Sequence, residues 1–200
     1  MSQKEGVRFT LDDAFKLGVS YLERRRDRSL LNIASIALGL SFFTTLLLTD
    51  TFYQTYTGLN GGNAVIDQSY YWLVVVALAV SVVGITNAML ISVYERIKEI
   101  GTMKCLGALD QHIITLFFVE AFLQGTVGGV IGVILGTAGA LATTGPTTGF
   151  EIILKVNPIR LLTLYSSSVL IAVFLSILAT IYPAYQASKL DPVEALRYEL

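Results

Sequence analysis

Charged residues are scarce in this sequence. Lys, Arg, Asp and Glu together make up 14% of its 200 residues, whereas a soluble domain carries about 25%. Hydrophobic residues make up 54%, and the mean hydropathy is +0.65. So little polar material cannot cover an apolar interior of this size, which excludes a soluble globular domain.

Reactive and metal-binding side chains are equally rare. The single cysteine, Cys105, cannot form an internal disulfide, and the single histidine, His112, has no Cys or His partner at a metal-binding spacing. The sequence has no GxxxxGK followed by Ser or Thr, no GxSxG and no HExxH. Its net charge of −1 attracts no nucleic acid. We therefore expect no catalysis, and no cofactor, metal or nucleic acid bound by this chain.

Four long stretches almost without charge account for the composition. They predict an all-α membrane protein, because a span needs about 20 mostly apolar residues. The predicted spans lie at about 29–49, 71–94, 112–142 and 161–184, with a short outer loop at 50–70.

Basic residues are distributed unequally between the two sides of these spans. Both termini and segment 94–112 together hold twelve Lys and Arg residues, whereas the loops at 50–70 and 143–160 hold two. Since Lys and Arg accumulate on the cytoplasmic side, both termini and segment 94–112 are predicted to be cytoplasmic. The protein is thus expected to be a multi-pass protein of the inner or plasma membrane.

Local signals divide the chain into two parts. Residues 1–28 are predicted to form a cytoplasmic amphipathic helix from Thr10, lying in the lipid headgroups and ending in a basic cluster. Residues 29–200 form the four-span domain. Asn157 and Pro158 are a helix cap and a first helical residue, Pro183 is expected to bend or end the last span, and Asp191 caps a short final helix.

The third span carries the most informative pattern. Small-residue pairs four positions apart predict close packing against another helix of unspecified identity, and the glycines concerned are Gly125, Gly129, Gly132 and Gly136, with Gly128 between them. Glu120 is the acid inside this span. Because an intramembrane charge is costly, we favour a structural role for Glu120, paired with Lys104 or bonded to a neighbouring helix, over proton or substrate handling.

Segment 95–109 is unusually apolar for a free cytoplasmic loop, which is the alternative interpretation. Charges on a helical face alternate with apolar side chains, and this pattern favours docking to another protein. The predicted contact comprises Glu95, Arg96, Ile97, Lys98, Glu99, Ile100, Gly101, Met103, Lys104 and Gly107.

Three motifs in order resemble the FtsX/MacB-type (type VII-like) permeases of ABC transporters. They are the "ER…EIG…K.LGA" pattern within SVVGITNAMLISVYERIKEIGTMKCLGAL, the third-span sequence VEAFLQGTVGGVIG at 119–132, and the C-terminal PAYQASKLDPVEALRYE. The resemblance is strong over about residues 72–200. The chain departs from the family in its outer loop, which is too short for the usual large extracytoplasmic domain.

The resemblance implies a permease subunit working with a cytoplasmic ABC ATPase dimer, in which ATP and Mg are bound, and with a second permease copy, identical or different. It implies that segment 95–109 is the ATPase-coupling element. Export or extraction of a hydrophobic or amphipathic substrate is the favoured work. The alternatives are FtsX-like mechanical signalling, which would require a separate extracytoplasmic subunit, and a static membrane scaffold.

Overall fold

Five helices make up the parts of the chain that the structure describes. The computed structural model describes residues 26–59, 68–148, 156–191 and 195. The helices are α1 (Arg26–Leu59), α2 (Gln68–Glu95), α3 (Ile97–Cys105), α4 (Asp110–Thr148) and α5 (Pro158–Ser188). The predicted amphipathic helix in residues 1–28 lies outside these ranges.

Four of the helices, α1, α2, α4 and α5, are long and apolar enough to cross a membrane. The all-helical, four-span fold class predicted from the sequence is therefore confirmed. A helix satisfies its backbone N–H and C=O groups internally, which a lipid environment requires. Hydroxyl groups inside the spans are satisfied in the same way: Thr44, Ser81 and Thr180 each donate to the carbonyl four residues earlier, at 2.7 to 2.8 Å.

All four membrane helices are longer than the spans predicted for them, α1 and α4 by the most. Helix α1 has 34 residues and α4 has 39, which correspond to about 51 and 58 Å at 1.5 Å per residue. Both exceed the full bilayer thickness of about 40–45 Å. Residues 50–59, predicted as part of the outer loop, belong to α1.

The ends of α5 follow the local signals only in part. The Asn157 side chain caps the helix by accepting a hydrogen bond from the Ile159 N–H at 3.0 Å, and Pro158 is the first helical residue. Pro183 does not end the helix, which continues to Ser188. The Ala195 N–H donates to the Asp191 carbonyl at 2.9 Å, as in a first helical turn, while residues 192–194 lie outside the described ranges.

The glycines of α4 lie against two different helices. A Cβ built on Gly128, Gly132 or Gly136 would lie 2.6 to 2.9 Å from side-chain atoms of α1. A Cβ on Gly125 or Gly129 would lie 3.0 Å from atoms of α5. Since the two sets occupy different faces of α4, this helix is the centre of a three-helix unit with α1 and α5.

Helix α2 packs against α1 and α5 at the side of this unit. It lies close to α1 at Gly39, where an added Cβ would clash with the Ser81 hydroxyl. Apolar clusters close the two ends of the bundle. One, at the α3 end, contains Val93, Ile100, Ile113, Phe117, Ala184 and Ala187, and the other contains Leu48, Phe52, Ala140 and Val156.

Candidate coupling site

A buried ion pair lies where α2 meets α3. Both terminal nitrogens of Arg96 donate to the carboxylate of Glu120 on α4, at 2.7 and 2.8 Å. The two side chains are only 6% and 2% exposed. A guanidinium and a carboxylate joined by two parallel hydrogen bonds fix each other's orientation as well as their distance. The pair therefore holds the start of α3 in a defined position on α4.

Two amides extend this pair into the bundle. The Gln124 side chain, one turn along α4, donates to Glu120 Oε1 at 3.1 Å. Its carbonyl oxygen accepts a hydrogen bond from Asn32 of α1 at 3.4 Å. Gln124 and Asn32 are both buried, so this polar network connects the α2–α3 junction with α4 and α1.

The backbone changes direction at the same residue that forms the ion pair. Arg96 lies between α2 and α3 with φ −104° and ψ 9°, outside the regular helical geometry. Its N–H bonds to the Val93 carbonyl, three residues earlier rather than four. Arg96 is therefore both the break between the two helices and their side-chain attachment to α4.

The other end of α3 is attached to α5 through Lys104. The Lys104 ammonium donates to the carbonyl of Ser188, the last residue of α5, at 2.5 Å and to that of Leu190, just beyond the helix, at 3.0 Å. It also forms an ion pair with the half-exposed carboxylate of Asp110 at 3.0 Å. A cation at a helix C-terminus is favourable, because the last carbonyls there have no partner within the helix.

The turn between α3 and α4 exposes apolar side chains. Leu106 is 89% exposed and Leu109 is 61% exposed. Between them Gly107 has φ +94°, a conformation that side chains other than glycine rarely adopt. Lys98 and Thr102 are exposed on the neighbouring face of α3. The turn thus presents two leucines with a polar margin.

An apolar groove of about 520 Å³ lies between α1 and α2. Small residues form its floor, including Gly39 and Ser81, and exposed branched side chains such as Leu38, Val76 and Val80 form its walls. Gly84 lies at one end with no atom within 4 Å of where its Cβ would be. The groove is open toward the side of the bundle.

Comparisons with known proteins agree with this architecture. The family described as FtsX-like permease C-terminal matches residues 71–192. The chain belongs to the FtsX-like permease family. The match begins at α2 and includes the Arg96–Glu120 pair, α3, α4 and α5.

Several curated relatives align with the chain. The uncharacterized ABC transporter permease YknZ of Bacillus subtilis is 36% identical over 62% of this chain and 30% of its own length. The macrolide export ATP-binding/permease protein MacB of Campylobacter jejuni is 32% identical over 86% of this chain and 25% of its own length. MacB of Bdellovibrio bacteriovorus is 35% identical over 70% and 21%. The chain thus spans less than a third of the length of these relatives.

The FtsX-like segment 95–109 differs from the surface predicted for it. Ile97 and Ile100 are each 4% exposed and Gly101 is buried, so these residues belong to the chain's own interior. Arg96 is likewise buried against Glu120 rather than displayed. The physical reason is that α3 lies against α4 and α5, whose side chains Ile113, Phe117 and Ala184 cover Ile100. Glu95, Glu99, Met103 and Lys104 are half-buried, and Lys98 and Gly107 remain exposed.

Glu120 has a different partner from the one named in the sequence analysis. The predicted bond to another part of the bundle is present, but it is made by Arg96, while Lys104 pairs with Asp110 and the end of α5. Sequence reasoning missed Gln124 and Asn32 altogether. Their signal was available, since Gln124 follows Glu120 by one helical turn and Asn32 is an amide within an apolar span.

Proposed function

We propose that this chain is the membrane subunit of an ABC transporter complex. It couples ATP hydrolysis, performed with Mg in a cytoplasmic ABC ATPase dimer, to the export or extraction of a hydrophobic or amphipathic substrate. The relatives named as ABC transporter permeases support the membrane role. The open groove between α1 and α2 supports an apolar substrate, because its lining is almost free of polar groups.

The observation that carries the ATPase coupling is the exposed turn at Leu106 and Leu109. Apolar side chains in buried pockets of a partner dominate binding energy, while charges at the rim add about 1 kcal/mol or less. Leu106 and Leu109 are available for such pockets, whereas Ile97 and Ile100 are not. The ATPase contact is therefore assigned to the turn 106–109, with Lys98 of α3 at its margin.

The test is recovery of the ATPase from membranes that contain tagged permease. Leu106→Asp should lower recovery at least about tenfold, which corresponds to 1.4 kcal/mol. Lys98→Ala should lower it less than about fivefold, as expected of a rim charge. Gln111→Asp is the matched control, because it adds the same charge at an exposed polar position nearby. Wild-type recovery and ATPase rate with Leu106→Asp would contradict the assignment.

Ile100→Asp serves as a second control with a different readout. Ile100 lies in the apolar cluster at the α3 end of the bundle, so an aspartate there destabilises the permease itself. The folded yield of Ile100→Asp should therefore fall, and any loss of ATPase recovery should follow from misfolding of the permease. Leu106→Asp should leave the folded yield unchanged.

The proposal includes an orientation and a second copy. Both termini and Cys105 are cytoplasmic, and the end of α1 is outside. In intact cells, an impermeant thiol reagent should label Tyr56→Cys in a Cys105→Ser chain, and label Cys105 only after the cytoplasmic side is opened; the reverse pattern refutes the orientation. Co-purification of two differently tagged copies of this chain distinguishes a homodimer from a heterodimer.

The length of α1 and α4 favours one second candidate function. Because both helices exceed the bilayer thickness, they offer projecting surface on which a separate extracytoplasmic subunit could be moved, as in FtsX-like mechanical signalling. Loss of all ATP-dependent output on deletion of such a subunit, with substrate transport absent, would support this candidate over transport.

A further inference from the structure

The three-helix unit and α3 are attached in different ways. Glycines bring the backbone of α4 into close contact with α1 on one face and with α5 on another. Helix α3 instead rests on the unit through the apolar cluster around Ile100 and through two charged attachments. Apolar contact is non-directional, and by itself it does not fix the position of α3 along α4.

Both charged attachments lie at the ends of α3. Arg96 precedes its first residue and binds Glu120 of α4, and Lys104 lies in its last turn and binds carbonyls at the C-terminal end of α5. A force applied at the exposed turn around Leu106 would rotate α3 about the break at Arg96 if only the apolar cluster held it. With both ends attached, such a rotation would either break one of these attachments or carry α4 and α5 with α3.

We propose that Glu120 and Lys104 are positioning residues that make α3 a rigid lever on α4 and α5. The hydrogen bonds of Gln124 to Glu120 and to Asn32 connect this lever to α1. This inference rests on the proposed ATPase coupling and adds the path by which movement reaches the membrane helices. The task of Glu120 is to hold Arg96 in one orientation.

The decisive variant is Arg96→Met/Glu120→Met. Replacing a whole buried ion pair by apolar residues commonly preserves stability, so this chain should fold and keep its exposed docking turn. If the Arg96–Glu120 pair only stabilises the fold, the double variant should still transmit movement from α3 to α1. If the pair positions α3, this transmission should be lost. Lys104→Met removes the second attachment, and Lys98→Met is its matched control on the exposed face of the same helix.

The experiment measures two distances between spin labels in the reconstituted permease–ATPase complex, without nucleotide and after trapping with ATP and vanadate. A label on Cys105, which is exposed, reports on α3. A label on Tyr53→Cys in a Cys105→Ser chain reports on the far part of α1, where Tyr53 is also exposed. Each label gives one distance between the two permease copies.

The unmodified chain and Lys98→Met should show a nucleotide-dependent change at both positions. In Arg96→Met/Glu120→Met and in Lys104→Met, the change at Cys105 should persist, while the change at Tyr53→Cys should fall at least about fivefold. ATPase recovery should stay at the wild-type level in the double variant and in Lys104→Met, and should fall less than about fivefold in Lys98→Met, whose charge lies at the margin of the proposed contact. An undiminished change at Tyr53→Cys in both variants overturns the inference.

Two further outcomes are also decisive. The absence of any change at Cys105 in the unmodified chain would overturn the proposed ATPase coupling, and with it this inference. If the double variant does not fold, Arg96→Lys keeps the charge and loses the paired hydrogen bonds. Full transmission to Tyr53→Cys in Arg96→Lys and in Lys104→Met would then refute the lever.

Discussion

Helix α4 contacts α1 and α5 through glycines and other small residues, whereas α3 is held by the apolar cluster around Ile100 and by charged side chains at its ends. In the first region, stability depends on the absence of atoms: nothing larger than hydrogen fits at Gly132 or Gly136. In the second, it depends on the presence of a matched partner, Glu120 for Arg96. The two regions should therefore fail under opposite kinds of substitution, one by adding volume and the other by removing a charge.

The largest effect is expected where a buried charge loses its partner. Glu120→Leu leaves the Arg96 guanidinium buried without its carboxylate, and should lower the free energy of unfolding by about 3–5 kcal/mol. Asp110→Asn is the control, since the Asp110 carboxylate is half exposed and its pair with Lys104 contributes about 1 kcal/mol or less. Denaturant unfolding of both variants in one detergent checks the difference. Equal losses would mean that burial of the Arg96–Glu120 pair has no energetic consequence.

The next effect concerns added volume in the three-helix unit. A Cβ at Gly136 would lie 2.6 Å from Thr44 Cβ and 2.7 Å from the Ser41 carbonyl oxygen, so Gly136→Leu should lower the free energy of unfolding by about 1–3 kcal/mol or more. Gly132→Leu should follow and Gly129→Leu should cost less, in the order of their clearances. Gly84→Leu is the matched control, because nothing lies within 4 Å of its Cβ position.

Folded yield by size-exclusion chromatography and ATPase rate of the complex measure this series. If Gly136→Leu assembles as well as Gly84→Leu, the close contact between α1 and α4 is wrong. The comparison between the two regions would then lose its basis, because the three-helix unit would tolerate added side-chain volume.

The smallest expected effect comes from a comparison of two glutamines, one in an exposed network and one in a buried network. Gln54 accepts a hydrogen bond from Arg160 at 2.8 Å in an exposed network, while Gln124 bonds to Glu120 and Asn32 in a buried one. Gln54→Met should therefore lower the free energy of unfolding by less than about 1 kcal/mol, and Gln124→Met by about 1–3 kcal/mol. Thermal unfolding in the same detergent compares them. Equal shifts in Tm would show that burial of the network does not matter.

The four-span architecture and the functional family were predictable from the sequence because both depend on local order. Apolar length decides whether a helix can cross a membrane, and the "ER…EIG" pattern is contiguous in the chain. The ATPase contact of segment 95–109 stays a prediction, and the structure shows that Ile97 and Ile100 are buried while Leu106 is exposed. Alternation of charged and apolar residues shows that α3 has two faces, and it does not show which face is already covered by α4 and α5.

The sequence by itself determined that this chain crosses a membrane four times, that α4 has glycines at helix-contact spacing, and that Glu120 is an acid within an apolar span. Only the tertiary structure decided that Arg96 is the partner of Glu120, that Gly132 contacts α1 while Gly129 contacts α5, and that Ile100 is buried while Leu106 is exposed. The physical reason is that length and hydropathy act within a single helix, whereas an ion pair or a close contact depends on the rotation and register of two helices that lie far apart in the chain.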